Sequence, residues 1–291
     1  MNGQEKGLVT VIIPAYNMEE YVSIAVLSAL KQDYVNIEVI AVNDCSTDRT
    51  GEILDTLALQ DTRLRVLHRV QNSNLPAVAR NQGLHMARGE YVAFLDHDDV
   101  WSSSKISRQV KVMQLNENIA MAYSHLFSVG RNTPLAGLKR LPRLRNWRSD
   151  FHPLNRGSVI QCSSVIIRRK IIEDFGGFSE DVNLRAVEDF HLWYRVGLRH
   201  AIAFIPEIDG KYRISPGSTS QESNVTAKFQ ALNAELGCEL TIGNAAWSAK
   251  APRIIEMPPV LAKLLLVQPI RRLLRLSPKY IIHKTSNQNA R

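Results

Sequence analysis

The chain has 291 residues, of which 45% are hydrophobic and 22% charged, so it can form one large or two small globular α/β domains. Its three cysteines are Cys45, Cys162 and Cys238, which are far apart and argue against a disulfide framework or a zinc site. Neither a signal peptide nor a run of about 18 apolar residues occurs, so we expect a cytoplasmic protein.

The net charge of +8 is concentrated at the C-terminus. Residues 257–291 contain seven Lys and Arg and no acidic residue, which leaves +1 for residues 1–256. We expect no nucleic-acid partner. Leucines between these basic residues form an amphipathic pattern that favours contact with an anionic membrane surface. The alternative is a C-terminal helix that packs its leucines on the domain, and either interpretation predicts a basic helical extension over 221–291.

The N-terminal part alternates strands and helices in chain order. Apolar runs predict strands at 8–13, 37–42, 64–67 and 91–95. Helical periodicity predicts helices at 18–30, from the polar stretch at 43–48 to about 59, and at 75–87. This alternation predicts a largely parallel sheet with helices on both faces. Ligands bind such sheets at the carboxyl ends of the strands, where Pro14–Asn17, Asp44 and Asp96–Asp99 fall.

An acidic cluster, Asp96-His97-Asp98-Asp99, directly follows the strand predicted at 91–95. Neighbouring carboxylates raise one another's pKa, and a divalent cation removes that penalty. Mg²⁺ and Mn²⁺ prefer oxygen ligands, so the cluster predicts a site for a metal ion and a diphosphate. A solvated turn that caps the next helix is the alternative.

The second half of the chain has a different pattern. Strands are predicted at 119–129, 158–167 and 202–205, and helices at 168–175 and 187–198. Between the first two strands lies a basic loop at 131–153, which either binds a phosphate or an acidic acceptor or is simply solvated. No repeat or flexible linker separates the two halves, so we expect them to share one core.

Six motifs together make the chain resemble family 2 glycosyltransferases of the GT-A fold. In order they are Val11–Asn17, Val42–Asp48, Ala79-Arg80-Asn81, Phe94–Asp99, Gly176-Gly177-Phe178 and Glu188-Asp189. The resemblance implies a Rossmann-like, mostly parallel sheet flanked by helices in one compact domain over 1–220. Within it, a nucleotide-sugar half spans about 1–110 and an acceptor half about 111–220, followed by the C-terminal extension.

The same resemblance implies roles for the residues that surround the donor. Asp96 and Asp98 match the DxD pair, with Asp98 as a ligand of Mn²⁺ or Mg²⁺ and Asp96 closer to the ribose or donor sugar. The remaining donor-binding residues are Pro14, Ala15 and Tyr16 beside the nucleotide, Asp44 on the base, and Arg80 near the sugar or phosphates. Between the two aspartates, His97 replaces a usual small residue and predicts a narrower donor pocket or an extra hydrogen bond.

Three further residues are assigned near the acceptor and the phosphates. The resemblance makes Asp189 the general base and places Glu188 in the substrate site, although both are also suited to stabilising a helix N-terminus. Arg213, followed by a glycine- and serine-rich stretch at 215–220, resembles a segment that closes over the diphosphate.

The resulting hypothesis is an inverting glycosyltransferase. It would move a sugar from a nucleotide sugar, most simply a UDP-sugar, to a saccharide or lipid-linked acceptor at the cytoplasmic membrane face. A sugar nucleotidyltransferase would need a glycine- and lysine-rich loop after the first strand, which this sequence lacks. A non-catalytic nucleotide-sugar-binding protein is a further alternative, against which the presence of Asp96, Asp98 and Asp189 argues.

Overall fold

The computed structural model describes residues 5–130 and 160–214, together with two short strands at 253–256 and 281–284. Its first half contains four strands and three helices in alternation. The strands are β1 (Glu5–Ala15), β2 (Ile37–Asn43), β3 (Leu64–His68) and β4 (Gly89–Phe94), and the helices are α1 (Val22–Leu30), α2 (Thr50–Gln60) and α3 (Pro76–Met86). Each strand and helix predicted for this half is confirmed.

Helix α1 begins later than its sequence pattern predicts. Asn17 adopts a left-handed backbone conformation with a φ of 46°, which ends β1 in a tight turn rather than capping a helix. The Asn17 side chain instead accepts a hydrogen bond from the Thr47 backbone N–H at 2.8 Å. The loops that follow β1 and β2 are therefore held against each other.

The second half adds strands to the same sheet. The strands are β5 (Val100–Trp101), β6 (Ile119–Gly130), β7 (Val165–Arg168) and β8 (Ala201–Ile214), and the helices are α4 (Lys105–Leu115), α5 (Arg169–Asp174) and α6 (Glu188–Arg199). Two 3₁₀ turns lie at Cys162–Ser164 and Val182–Leu184. The turn at Cys162–Ser164 corrects the predicted strand at 158–167, since within the described residues 160–167 only 165–167 pair in the sheet.

The tail contributes two strands where a helical extension was expected. They are β9 (Arg253–Glu256) and β10 (Ile281–Lys284), and β10 pairs with both β8 and β9. Each contains adjacent isoleucines, which favour extended backbone over helix. Other residues of 221–291, including the rest of the basic segment at 257–291, lie outside the described residues, as do the basic loop at 131–153 and the stretch at 215–220.

The sheet has the order β3-β2-β1-β4-β7-β6-β8-β10-β9, with β5 paired to β8. Strands β5, β7 and β10 run against the others, so the sheet is mostly parallel as predicted. The carboxyl ends of β1, β2, β4, β6 and β8 therefore share one edge with the amino end of β7. We call this edge the catalytic edge.

Both faces of the sheet are covered, as the sequence predicts. Alternate residues of β1 pack to opposite sides, with Val11 and Ile13 in the cluster under α1 and α4, and Ile12 in the cluster under α3 and α6. All three side chains are fully buried. One continuous sheet thus supports both halves of the domain and fixes the residues at the catalytic edge. No helix among the described residues is long and apolar enough to cross a membrane.

Candidate active site

The acidic cluster forms a turn that leaves β4 at the catalytic edge. The Asp99 backbone N–H donates to the Asp96 carbonyl at 3.0 Å, and the Asp96 N–H donates to Ser163 Oγ at 2.9 Å. From the end of β8, the Arg213 N–H donates to the buried Asp99 carboxylate at 2.8 Å, and Arg213 Nε donates to the Asp98 carbonyl at 3.2 Å. Three separate segments therefore fix the geometry of this turn.

The electrostatics of the turn favour binding of positive charge. Burial raises the pKa of Asp98, an effect that His97 opposes and Asp96 strengthens. Burial also raises the pKa of Asp99 well above its usual range, and Asp96 and Asp98 add to this shift. A cation at the turn would relieve both penalties.

The donor set suits a divalent metal ion that is completed by a substrate. Among the residues that the structure describes, no three His, Cys, Asp or Glu side chains are grouped to hold a metal. Mg²⁺ commonly takes only one or two protein carboxylates and completes its shell with water and phosphate oxygens. Asp96 and Asp98 offer carboxylates of this kind, next to the buried carboxylate of Asp99. The residues present therefore fit such an ion.

Arg80 joins the acidic turn to the first turn of α6. Its Nη2 donates to Asp96 Oδ1 at 2.8 Å and its Nη1 donates to Glu188 Oε1 at 2.7 Å. The Arg80 side chain is only 6% exposed. In this structure, Arg80 is thus a buried ion-pair partner of two site carboxylates, rather than a cation turned to the open crevice.

Asp189 follows Glu188 at the start of α6 and is partly buried. Its Oδ1 accepts the Phe190 backbone N–H at 2.7 Å, which orients the carboxylate at the helix N-terminus. Burial and the adjacent Glu188 raise the pKa of Asp189 to about 7, although Arg80 opposes the shift. Such a carboxylate can take up a proton near neutral pH, as a general base must.

The predicted nucleotide-binding residues meet where β1 and β2 end. Pro14 and Ala15 close β1, and the Asp44 N–H donates to the Ala15 carbonyl at 2.8 Å. Tyr16 follows with 40% of its surface exposed. His97 Nδ1 lies 3.0 Å from the Pro14 carbonyl, so this nitrogen carries the proton and ties β4 to β1.

Asp44 has protein partners that the sequence did not predict. Its carboxylate accepts the Ser73 backbone N–H at 3.1 Å and the Ser73 hydroxyl at 2.7 Å, and it pairs with Arg69 Nε at 2.8 Å. Asn72 Nδ2 also donates to the Asp44 carbonyl at 2.9 Å. These residues follow β3 and lie far from Asp44 in sequence, so no local pattern could have identified them.

The Cys162–Ser164 turn is a second part of the site that the sequence pattern does not reveal. Ser163 is fully buried and holds the Asp96 backbone, while its carbonyl accepts the Trp101 Nε1–H at 2.7 Å. The stretch around the turn is apolar, which is typical of a strand, so the sequence predicts a strand where the turn lies. A pair of serines at the start of a strand that reaches the catalytic edge was the available signal.

Comparisons with known proteins point to one family. A profile described as glycosyl transferase family 2 matches residues 10–176. A putative teichuronic acid biosynthesis glycosyltransferase, TuaG of Bacillus subtilis, is 32% identical over 225 residues, covering 77% of this chain and 85% of the relative. The UDP-Glc:alpha-D-GlcNAc-diphosphoundecaprenol beta-1,3-glucosyltransferase WfgD of Escherichia coli is 31% identical over 225 residues, covering 77% and 83%.

Solved structures of similar fold are also known. TarS 1-349 of S. aureus in complex with UDP-GlcNAc superposes with a TM-score of 0.62 at 22% identity, covering 78% of this chain and 66% of that one. Mannosyltransferase PcManGT of Pyrobaculum calidifontis, in complex with GDP-Man and Mn2+, has a TM-score of 0.56 at 21% identity, covering 72% and 58%.

The fold is therefore the GT-A fold of nucleotide-sugar-dependent transferases. The chain belongs to glycosyl transferase family 2. The predicted fold class and the predicted enzyme class, a glycosyltransferase, are both confirmed.

Proposed function

We propose that this protein is an inverting, metal-dependent glycosyltransferase that moves a sugar from a UDP-sugar to a saccharide or lipid-linked acceptor in cell-surface glycan synthesis. The observation that carries the proposal is the buried Arg80, which brings the Asp96 turn and the Glu188-Asp189 turn into one site. The donor and acceptor are supported by relatives named for UDP-glucose and a diphosphoundecaprenol-linked sugar, and by a neighbour bound to UDP-GlcNAc.

The donor occupies the crevice between the ends of β1, β2 and β4. Pro14, Ala15 and Tyr16 border the nucleotide, and Asp44, held by Ser73 and Arg69, faces the base. Arg80 acts on the donor indirectly, because it fixes Asp96 and neutralises part of the negative charge there. Arg213 neutralises phosphate oxygens from the β8 side, where its guanidinium lies 4.0 Å from the ring centre of Tyr21.

Asp98 and Asp96 would hold Mn²⁺ or Mg²⁺. When bound, the ion supplies positive charge that stabilises the departing nucleoside diphosphate. The raised pKa of Asp98 supports this assignment, because its charge is poorly compensated by the protein alone.

Asp189 performs the proton transfer. It accepts the proton of the acceptor hydroxyl while that oxygen bonds to the anomeric carbon and the bond from this carbon to the diphosphate breaks. Attack from the face opposite the leaving group inverts the anomeric centre, by the geometric logic that also governs inverting glycosidases. Glu188 contributes to substrate binding, and its carboxylate lies beside the base, where it helps to raise the pKa of Asp189.

Replacing the base tests the proposal. Asp189→Asn keeps the size of the side chain but cannot accept the proton, so we expect transfer from UDP-glucose or UDP-GlcNAc to a lipid-diphosphate-linked GlcNAc to fall by about 10²–10⁴-fold. UDP affinity, measured by calorimetry, should stay within about threefold because the base does not hold the nucleotide.

Two controls complete this experiment. Asp174→Asn removes an exposed carboxylate at the end of α5 and should leave transfer unchanged. Chelation with EDTA should abolish activity, and excess Mn²⁺ should restore it. Wild-type protein that binds UDP but transfers no sugar would instead support a non-catalytic nucleotide-sugar-binding protein.

A further inference from the structure

Asn81, next to Arg80 on α3, pairs with the loop that precedes α6. Asn81 Nδ2 donates to the Phe178 carbonyl at 2.9 Å, and Asn81 Oδ1 accepts the Phe178 backbone N–H at 2.9 Å. A single amide side chain therefore satisfies both backbone groups of one residue, as a neighbouring strand would. Asn81 Nδ2 makes a further hydrogen bond to Glu180 Oε1 at 2.8 Å.

The glycine before Phe178 is needed for this close approach. A Cβ atom added at Gly177 would lie 2.6 Å from Asn81 Oδ1, a distance that real Cβ contacts do not show. Gly176 has almost the same backbone, with a φ of 77° against 78° at Gly177, but a Cβ added there would meet nothing within 4 Å. Substitutions at Gly176 and Gly177 therefore distinguish the effect of backbone strain from the effect of contact with Asn81.

The ring of Phe178 touches the parts of the molecule that carry the site. The Arg80 guanidinium lies 5.4 Å from its centre, the Phe94 ring packs edge-on at 5.0 Å, and the Trp193 ring packs at 5.7 Å. Phe94 ends the strand that leads into Asp96. Trp193 lies one helical turn after Asp189 on α6, so it shares the face of that helix with the base.

We propose that Asn81 is a positioning residue of the transfer reaction: by holding the Phe178 backbone, it sets the separation between the Asp96 turn and the helix that carries Asp189. Asn81 touches neither donor nor acceptor. It acts through Phe178 and Trp193 on the placement of the helix that carries Asp189, and so governs the catalytic step rather than donor binding. The inference rests on the proposed function, because it takes Asp189 as the base.

The variant Asn81→Asp tests the pairing with little change in volume. The new carboxylate still accepts the Phe178 N–H, but its second oxygen opposes the Phe178 carbonyl and the Glu180 carboxylate. Because small misplacements of catalytic groups are costly, we expect kcat for UDP release from UDP-glucose or UDP-GlcNAc to fall by about 10–100-fold. UDP affinity should change by less than about threefold. Glu180→Gln, which leaves the Phe178 pairing intact, is the matched control and should keep kcat within about twofold.

The glycine pair gives a second measurement that leaves Asn81 in place. Gly177→Ala and Gly176→Ala impose similar backbone strain, but only the alanine at 177 pushes against Asn81. We expect Gly177→Ala to reduce kcat at least about tenfold more than Gly176→Ala, with UDP affinity alike in the two variants. A merely structural role would lower thermal stability and leave kcat per folded molecule unchanged in both.

The outcomes separate this inference from the proposed function. If wild-type protein binds UDP and cleaves a UDP-sugar, but Asn81→Asp and Gly177→Ala keep its kcat, the positioning role is overturned. A fall in UDP affinity that matches the fall in kcat would also overturn it. If wild-type protein neither binds UDP nor cleaves either UDP-sugar, the failure lies in the proposed function.

Discussion

Arg80 links the charges of the two halves of the site. It pairs with Asp96 on one side and with Glu188 on the other, and both ion pairs are shielded from solvent at the arginine. The second carboxylate oxygen of Glu188 has no hydrogen-bond partner in the part of the chain that the structure describes. Burial of Asp189 and the adjacent Glu188 carboxylate together raise the pKa of Asp189.

This raised pKa predicts the pH dependence of the reaction. Only ionised Asp189 can accept a proton, so with a pKa of about 7 the active fraction falls roughly tenfold for each pH unit below that value. We expect kcat/KM to rise with pH up to about 7 and then to level off.

A pH–rate profile with UDP-glucose or UDP-GlcNAc measures this dependence. UDP binding recorded over the same pH range is the control, since it separates loss of the donor from loss of the base. A profile that is flat between about pH 5.5 and 8, with binding also constant, would contradict the assignment.

The residues of the site differ in how far the sequence reveals them. Asp44, Asp96 and Asp98 are found because each lies at the end of an apolar run, and strand ends of a parallel sheet converge. The pairing of Asn81 with Phe178 cannot be found from the sequence, because hydrogen bonds between a helix and a distant loop leave no periodic pattern. The motif resemblance marks both residues but gives no contact between them.

At the level of elements, the short strand β5 ties the acidic turn to β8. It begins directly after Asp99, and its pairing places Trp101 opposite Gly210. The Ser102 N–H donates to the Asp209 carbonyl at 2.9 Å and continues the contact into the next turn. The position of the acidic turn therefore depends on a close approach of two backbones at Gly210.

Substituting Gly210 tests this dependence. A Cβ at this position would collide with the Val100 carbonyl oxygen and lie 3.1 Å from Trp101 Cα, and backbone atoms cannot move aside as side chains can. We expect Gly210→Ala to lower the free energy of unfolding by about 1–3 kcal/mol in urea titrations. UDP affinity in the presence of Mn²⁺ should fall as well, because Asp99 and Arg213 lose their alignment.

The neighbouring exposed residue provides the control. Lys211→Ala changes a side chain on the same strand and should alter stability by less than about 0.5 kcal/mol. Equal unfolding midpoints for Gly210→Ala and the wild-type protein would show that β5 tolerates displacement.

The sequence predicts some strands and helices more completely than others. The first four strands and three helices follow from hydrophobic periodicity, since each strand is rich in apolar residues and lies between polar loops. β8 extends over 14 residues, far beyond the short strand predicted at 202–205. Its later residues are polar and charged, and they are extended because β5 and β6 pair with them, which is a tertiary effect that local sequence does not encode.

At the scale of the whole molecule, charge is divided between a nearly neutral body and a basic tail. We propose that residues 257–291 hold the enzyme on the cytoplasmic face of an anionic membrane, near a lipid-linked acceptor. Each basic residue near such a surface contributes about 1 kcal/mol of attraction. Reversing the charge of Arg271, Arg272 and Arg275 to Glu should therefore lower the fraction of protein bound to phosphatidylglycerol vesicles at least about tenfold in cosedimentation.

A matched triple variant guards against a general effect of charge. Lys6, Lys31 and Lys170 are exposed on the body, and their reversal to Glu should leave vesicle binding much less affected. Vesicles of phosphatidylcholine alone should bind all the proteins weakly. Equal losses in the two triple variants would point to the overall charge, and no loss in either would remove the tail from the proposal.

The reversed direction of β7 has a consequence for how this scaffold can diversify. β6 ends at Gly130 on the catalytic edge, and β7 begins at Val165 on that same edge because it runs the other way. Both ends of the intervening chain therefore lie on the side of the sheet on which β4 leads into Asp96. The entropic cost of closing a loop grows only slowly with its length, so lengthening this connection adds little penalty. Changes in the length of this connection are therefore expected to leave the carboxylates that follow β4 in place.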